Sequence, residues 1–173
     1  ERIGVSKANS TVDIGLLEHC VREDLKQKVE NRNVVENPIK VVITNYPEDK
    51  TEEMEIENNR EVPEMGNRSV PFSRELYVDG DDFMEVPVKK YFRLFPGNEV
   101  RFKGAYFIRC EEVIKNGDGS IKELRCTYDP QTRSGSGFEG RKVKGTIHWV
   151  DARTAVKIRI RNYDYLMLDE EDG

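Results

Sequence analysis

At 173 residues and 20.1 kDa the chain can hold one sizeable domain or two small ones with a real core. Hydrophobic residues make up 36%, charged residues 35% and mean hydropathy is -0.72; no apolar run approaches the roughly 20 residues of a membrane helix, and ERIGVSK leads into no signal-like apolar region, so membrane and secretory classes are not expected. Net charge is -5, which by itself argues against a nucleic-acid binder, and three cysteines without CxxC spacing, Cys20, Cys110 and Cys126, encode neither a disulfide framework nor a zinc site and fit a reducing cytoplasm.

In chain order, the first thirty residues read as helix. Ile14, Leu17, Val21, Leu25 and Val29 recur at three- and four-residue steps, and Ser10 three before Asp13 offers a capping box. After Asn37-Pro38 the period changes. PIKVVITNY is apolar and β-branched, and Met54 and Ile56 alternate with acids in EEMEIEN. Pro63, Gly66 and Pro71 punctuate a loop-rich passage before ELYVDG, and LFPGNE marks a second pause ahead of VRFKGAYFIRCEEVI. The turn sequence Asn116-Gly117-Asp118-Gly119 predicts a hairpin, with Leu124, Cys126 and Tyr128 on one face of its second strand and Glu123, Arg125 and Thr127 on the other. Composition makes 130–140, PQTRSGSGFEG, a flexible loop.

Next comes RKVKGTIHWV, which the alternation reads as a strand with Val143, Gly145, Ile147 and Trp149 inward and Lys144, Thr146, His148 and Val150 on the other face. In AVKIRIR a further strand is predicted, alternating Val156, Ile158 and Ile160 with Lys157, Arg159 and Arg161. One helix followed by six or more short strands indicates a mainly β fold, an antiparallel barrel or sandwich.

Charge is segregated along this layout. Residues 48–64 carry eight acids against two bases, and Asp164 to Asp172 adds five acids. By contrast KKYFRLFPGNEVRFK holds Lys89, Lys90, Arg93, Arg101 and Lys103 against Glu99 alone. Net charge therefore conceals basic faces. Within them Tyr91, Phe92, Phe95 and Phe102 interleave with the cations, the chemistry that stacks on splayed single-stranded bases and neutralises phosphate; a core strand with a solvated basic face would show the same pattern. Other chemistry has less support. His148 beside Trp149 has no nucleophile motif with it. The DGDD acids, Asp79, Asp81 and Asp82, lack calcium-loop spacing and read as a solvated turn. GSGFEG lacks the lysine of a phosphate loop, and Cys110 and Cys126 read as small core residues on neighbouring strands.

VPFSRELYVDGDDFME, KKYFRLFPGNEVRFKGAYFIRCEEV, CTYDPQTRSG and RKVKGTIHWV resemble, in order and spacing, the anticodon-binding region of the glutaminyl-tRNA synthetase family, and RIGVSKANSTVDIGLLEHCVREDL resembles the end of the helical subdomain before it. The resemblance runs from about residue 1 to Tyr165. It implies antiparallel β-barrels of the kind shared with a 5S rRNA-binding ribosomal protein, preceded by one helix. Residues 1–30 would then end the helical subdomain that links to a catalytic domain, and 31–173 would form the barrel region, incomplete at its C-terminal end because the family's last segment is expected to be absent. It implies a partner, the tRNA anticodon loop, with neither DNA nor membrane bound and a parent that is monomeric and cytoplasmic. The parent would use ATP and magnesium to ligate glutamine to its tRNA. This chain carries no HIGH-like or KMSKS-like motif, so it is expected to hold no catalytic residue, cofactor or metal.

Residue by residue, the resemblance matches Arg93 to an arginine that contacts the third anticodon base and Lys90 to a neighbouring polar position. Arg101 and Lys103 match basic positions that handle the first base, and Arg32 is the nearest match to an arginine that helps read the middle base. Phe92 stands where some members have lysine, making stacking the alternative contact there, and Lys103 replaces an arginine, exchanging a planar fork for a point charge. The rival readings are an archaeal- or eukaryotic-type glutamyl-tRNA synthetase, a stand-alone β-barrel RNA-binding protein, and a protein-interaction barrel without salt-dependent RNA affinity.

Overall fold

The computed structural model describes residues 13–162, which divide into two compact units. One holds the residues up to Arg32 together with Glu55–Ser69; the other holds Asn33–Met54 and the residues from Val70 onward.

In the first unit, helix α1 spans Ile14–Lys26. Asp13 caps it, its extended backbone turning a carboxylate oxygen onto the Gly15 N–H at 2.5 Å. The capping box expected from Ser10 lies outside the described residues. The apolar stripe falls where its period placed it, yet no helix residue is buried and Leu17 is 57% exposed. Val29 lies beyond the helix end. There the buried Asn59 amide donates to the carbonyls of Lys26 at 2.7 Å and Val29 at 2.9 Å, satisfying two acceptors at the C-terminal end.

Nine strands follow among the described residues: β1 (Pro38–Ile43), β2 (Glu52–Glu57), β3 (Asn67–Phe72), β4 (Glu75–Asp79), β5 (Glu99–Phe102), β6 (Phe107–Lys115), β7 (Ile121–Asp129), β8 (Thr146–Ile147) and β9 (Val150–Asp151). The described residues are mainly β behind one α-helix, as expected. β2 pairs with β3, and in β2 Met54 and Ile56 are buried between exposed acids. β3 runs through Pro71, where a loop was expected; a strand of a two-stranded sheet has a free edge, so the missing proline N–H breaks no ladder.

The other seven strands, all in the second unit, form one sheet in the order β8-β5-β6-β7-β1-β4-β9. Most pairings are antiparallel, while β1 runs parallel to β7 and β8 parallel to β5. β6 and β7 form the predicted hairpin: Asn116 N–H donates to the Ser120 carbonyl at 2.8 Å, and Gly119, at φ +86, takes the left-handed turn position that suits glycine. Leu124 and Cys126 point into the core, and Cys110 and Cys126 are register partners, both buried and free.

The two outermost strands, β8 and β9, are joined only by His148 and Trp149. Three peptide steps reach about 10 Å, so the sheet must curl until its two edges approach one another. The expected 143–150 strand is thus two short ones on opposite edges, with the inward alternation of Gly145, Ile147 and Trp149 retained. Trp149 donates from its indole nitrogen to the Lys103 carbonyl at 3.0 Å, and a His148 ring nitrogen lies 2.8 Å from the Val34 carbonyl. The predicted AVKIRIR strand does not form. Val156 is 82% exposed and the segment has no ladder partner among the described residues, because β8 and β9 already occupy the edges it would need.

Inside the curl, Phe72 meets Trp149 edge-on at 5.1 Å, and Tyr46, Tyr106 and Tyr128 continue the cluster. Its polar rim is Glu52, which accepts from the Tyr46 hydroxyl at 2.7 Å and the Tyr106 hydroxyl at 2.9 Å and pairs with Lys50 at 3.1 Å and Arg133 at 3.7 Å. Burial, with the bond to Glu52, pushes the Tyr106 phenol up to about 12. Burial also pushes the Glu52 carboxyl up, but the bonds from Tyr46, Lys50 and Tyr106 outweigh it and hold the group below the ordinary carboxylate range. A depressed folded value gives stability that is complete above the unfolded value, roughly 4.3, and is lost as pH falls through the folded one. Glu52→Gln is therefore expected to flatten the acid side of the stability profile below about pH 4, as read from urea midpoints across pH.

Candidate nucleic-acid interface

The loop that follows Asp82 is anchored by an apolar residue and presents its neighbours outward. Leu94 is fully buried, its N–H donates to the Asp82 carbonyl at 3.0 Å, and its own carbonyl accepts from Met84 N–H at 3.1 Å. Around that anchor the Asn98 amide donates to the Arg93 carbonyl at 2.8 Å, and Gly97 N–H donates to the Cys110 carbonyl at 2.7 Å. Lys90, at φ +69, is the non-glycine residue with left-handed backbone among the described residues. Non-glycine residues rarely hold that conformation outside turns, and here it reverses the chain just before Tyr91.

Against this loop lies the RKVKG segment. Together they enclose a cavity of about 440 Å³ lined by Tyr91, Phe92, Phe95, Asn98, Glu99 and residues Lys142 to Gly145. Lys144 Nζ sits 5.1 Å from the centre of the Phe92 ring, and Tyr91 and Phe95 lie 6.4 Å apart, tilted by 50°. Gly145 forms the floor by close approach. A β-carbon there would strike the Phe92 carbonyl oxygen and lie 3.2 Å from a Val100 methyl group. Gly145→Ala is therefore expected to displace the 91–95 backbone and cost about 1–3 kcal/mol, the range of overpacking, with a fall in urea midpoint as the check.

Rings of this size accept a base face, and an ammonium group beside them meets a phosphate or adds a cation–π contact. Lys142 and Lys144 have no carboxylate partner among the described residues. Arg141, in the same basic run, is already committed: its fork binds Glu99 at 2.8 and 2.6 Å and a third contact reaches Asp129 at 2.8 Å. The bonds to Glu99 and then Asp129 push its pKa up further.

Of the residues matched from sequence, Lys90 and Arg93 lie on the cavity's loop. Lys90 is exposed. Arg93 forms an ion pair with Asp82, which is 2% exposed. DGDD is accordingly not a uniformly solvated turn, since its last acid is buried against the arginine. Asp79 caps the short turn Gly80–Asp82. Burial pushes its carboxyl up, and the backbone N–H groups of Glu36, Asp81 and Asn37 outweigh that and hold it below the ordinary range. Among the described residues no group of three or more His, Cys, Asp or Glu side chains is placed to hold a metal ion.

Arg101 lies on β5, beside β8, and Lys103 stands in the turn just past the end of β5. Arg101 N–H bonds the Gly145 carbonyl at 2.9 Å, just beneath the cavity, while its guanidinium donates to the carbonyls of Thr132 at 3.1 Å and Ala105 at 3.3 Å and stacks 4.2 Å from the Phe107 ring. Burial lowers its pKa. Those bonds fasten the start of the 130–140 loop, where Thr132 is buried and its hydroxyl accepts from Phe107 N–H at 2.8 Å. Lys103 is exposed, and its backbone bonds Ile147 and Trp149. Arg32 belongs to the first unit, exposed and paired with Glu30.

Sequence reading missed Asn98 and Lys142 as lining residues. The visible signal for Lys142 was charge density in RKVK; for Asn98, which acts through a backbone carbonyl, there was none.

Residues 20–129 match the family model for the anticodon-binding domain of class I tRNA synthetases (E and Q). Among curated proteins, the glutamine–tRNA ligases of Clostridium perfringens and Clostridioides difficile are each 59% identical over 168 residues, and that of Bradyrhizobium diazoefficiens is 55% identical over 166. These alignments cover 97%, 97% and 96% of this chain and 30% of each relative. The chain thus spans about 30% of the length of the curated relatives it matches.

Proposed function

This chain belongs to the family of anticodon-binding domains of class I tRNA synthetases (E and Q), and we propose that it grips the anticodon loop of a glutamine tRNA on behalf of a glutamine–tRNA ligase. The observation that carries this reading is the aromatic and basic cavity between the 90–95 loop and Lys142–Gly145, with Arg93 on the same loop, between the lining residues Phe92 and Phe95 in the chain. An anticodon loop offers unstacked bases and a dense phosphate backbone. Tyr91, Phe92 and Phe95 supply faces for stacking, Lys90, Lys142 and Lys144 supply charge, and Arg93 supplies the fork that addresses a guanine edge. In this reading Arg93 and Lys90 serve the third base, Arg101 and Lys103 the first, and Arg32 the middle one. Arg101, with two bonds already made, acts through the donors left over.

Residues 1–30 end a helical subdomain and 31–173 form the barrel region. ATP and magnesium serve the catalytic portion, and the whole works in the cytoplasm as a monomer with tRNA, not DNA, as its nucleic acid. The curated relatives are named for glutamine, which favours it over glutamate; charging assays with both amino acids decide between them. A stand-alone RNA-binding barrel would show RNA affinity indifferent to the anticodon.

Electrostatics provide a direct test. Log affinity for an anticodon stem-loop should fall linearly with log salt, and each of Lys142→Ala and Lys144→Ala should reduce the slope by about 0.7–1, the counterion equivalent of one single-strand phosphate contact. Unchanged slopes in both variants would remove the cavity from the interface.

A further inference from the structure

The buried Asp82 carboxylate is the feature that the proposed RNA contacts leave unexplained. Its side chain is 3% exposed, and among the described residues its Oδ1 has no hydrogen-bond partner apart from the facing Arg93 guanidinium. A carboxylate removed from water is strongly unfavourable unless a cation meets it, so the pair is held firmly. The tether has a second strand: the Asp82 carbonyl accepts from Leu94 N–H, next to Arg93, at 3.0 Å. Asp82 thus fixes both the backbone beside Arg93 and the tip of its side chain. Yet that side chain is 55% exposed, and a guanidinium has five N–H donors in a rigid fork. One edge is occupied by Asp82 and the rest faces outward.

We propose that Asp82 is a positioning and specificity residue: it holds the Arg93 fork in one orientation and offsets its charge, so that Arg93 reads a base edge and does not seize phosphates indiscriminately. This rests on the anticodon-binding reading of Arg93 given above. The two roles lead in opposite directions when the carboxylate charge is removed. Loss of orientation weakens discrimination between bases, while loss of negative charge beside an arginine strengthens attraction to any phosphate backbone. A purely structural aspartate would instead lower affinity for all RNAs together.

The test measures the dissociation constants of two anticodon stem-loops, one with the native third anticodon base and one with that base replaced, for the full chain and for Asp82→Asn, Arg93→Ala and the double variant. Asp82→Asn is expected to reduce the discrimination ratio about tenfold, the scale of one bidentate base contact, with affinity for the replaced stem-loop equal or higher. In the Arg93→Ala background the same change should do nothing further. Full discrimination in Asp82→Asn alongside its loss in Arg93→Ala would overturn the proposal and leave the anticodon reading standing. Full discrimination in Arg93→Ala would overturn both. A readout on the unaltered chain covers the case of a variant that does not fold: the guanidinium nitrogens of Arg93 should give separate nitrogen-15 NMR signals from hindered rotation, and a single averaged signal would refute the positioning role.

Discussion

Trp149→Ala is expected to cost the second unit about 3–5 kcal/mol, as large-to-small changes of buried tryptophan do, against the roughly 5–15 kcal/mol that holds a domain folded. Several effects converge at that side chain. It has no solvent exposure, it meets Phe72 edge-on at 5.1 Å, and its indole N–H satisfies the Lys103 carbonyl at 3.0 Å. Its truncation opens a cavity, removes an aromatic pair of about 0.5–1.5 kcal/mol and orphans an acceptor. Position matters as much as size. His148 and Trp149 are the whole connection between β8 and β9, the two edges of the curled sheet, so a gap there loosens the closure on which Lys142–Gly145 depends. Trp149→Phe should recover much of the packing but not the hydrogen bond, and so fall between the alanine variant and the parent. Urea unfolding of the three proteins provides the check, and a Trp149→Ala chain with an unchanged midpoint would show that the closure is not held where we place it.

Arg93→Ala carries the largest functional effect. In a full-length synthetase bearing this region it should lower kcat/KM for tRNA by about 1–3 kcal/mol, roughly 5- to 150-fold, while affinity for ATP measured without tRNA stays nearly constant. Arg93 sits on a loop anchored by buried Leu94, and removing its side chain takes away the proposed base contact without touching that anchor. It also leaves Asp82 buried without its cation, so some loss of stability is expected in the same variant. Equal loss of tRNA and ATP binding would identify a folding defect instead. Arg93→Lys keeps the charge for Asp82 but not the fork, and should restore stability more than base discrimination.

Much of this molecule could be read from its residues alone because period-2 alternation survives packing wherever a strand has one buried face. Met54 and Ile56, Leu124 and Cys126, and Ile147 and Trp149 all lie where alternation put them, and the Asn116–Gly119 turn closes as its glycine requires. Alternation does not say whether an edge is available to pair with. Val156, Ile158 and Ile160 carry a strand pattern as clear as any, yet lie exposed because β8 and β9 cap the sheet. Nor could the pattern show that RKVKGTIHWV crosses from one edge to the other, since that depends on long-range pairing with β5 and β4. At the candidate interface the basic and aromatic residue types were visible, but not their partners. Arg93 and Asp82 are eleven positions apart, and Arg141 is engaged by Glu99 and Asp129 while its neighbours Lys142 and Lys144 have no such acid among the described residues. Identical residue types in one run therefore do different work, and only the fold separates them.

The most direct measurement is the affinity of the 173-residue chain for two anticodon stem-loops that share a stem and differ only in the three anticodon bases, one from a glutamine tRNA and one unrelated, followed by fluorescence anisotropy across a salt series. The result expected if this chain reads the anticodon is that the glutamine stem-loop binds at least about tenfold more tightly at every salt concentration, with both affinities falling as salt rises. Equal affinity for the two stem-loops, or binding indifferent to salt, would contradict it.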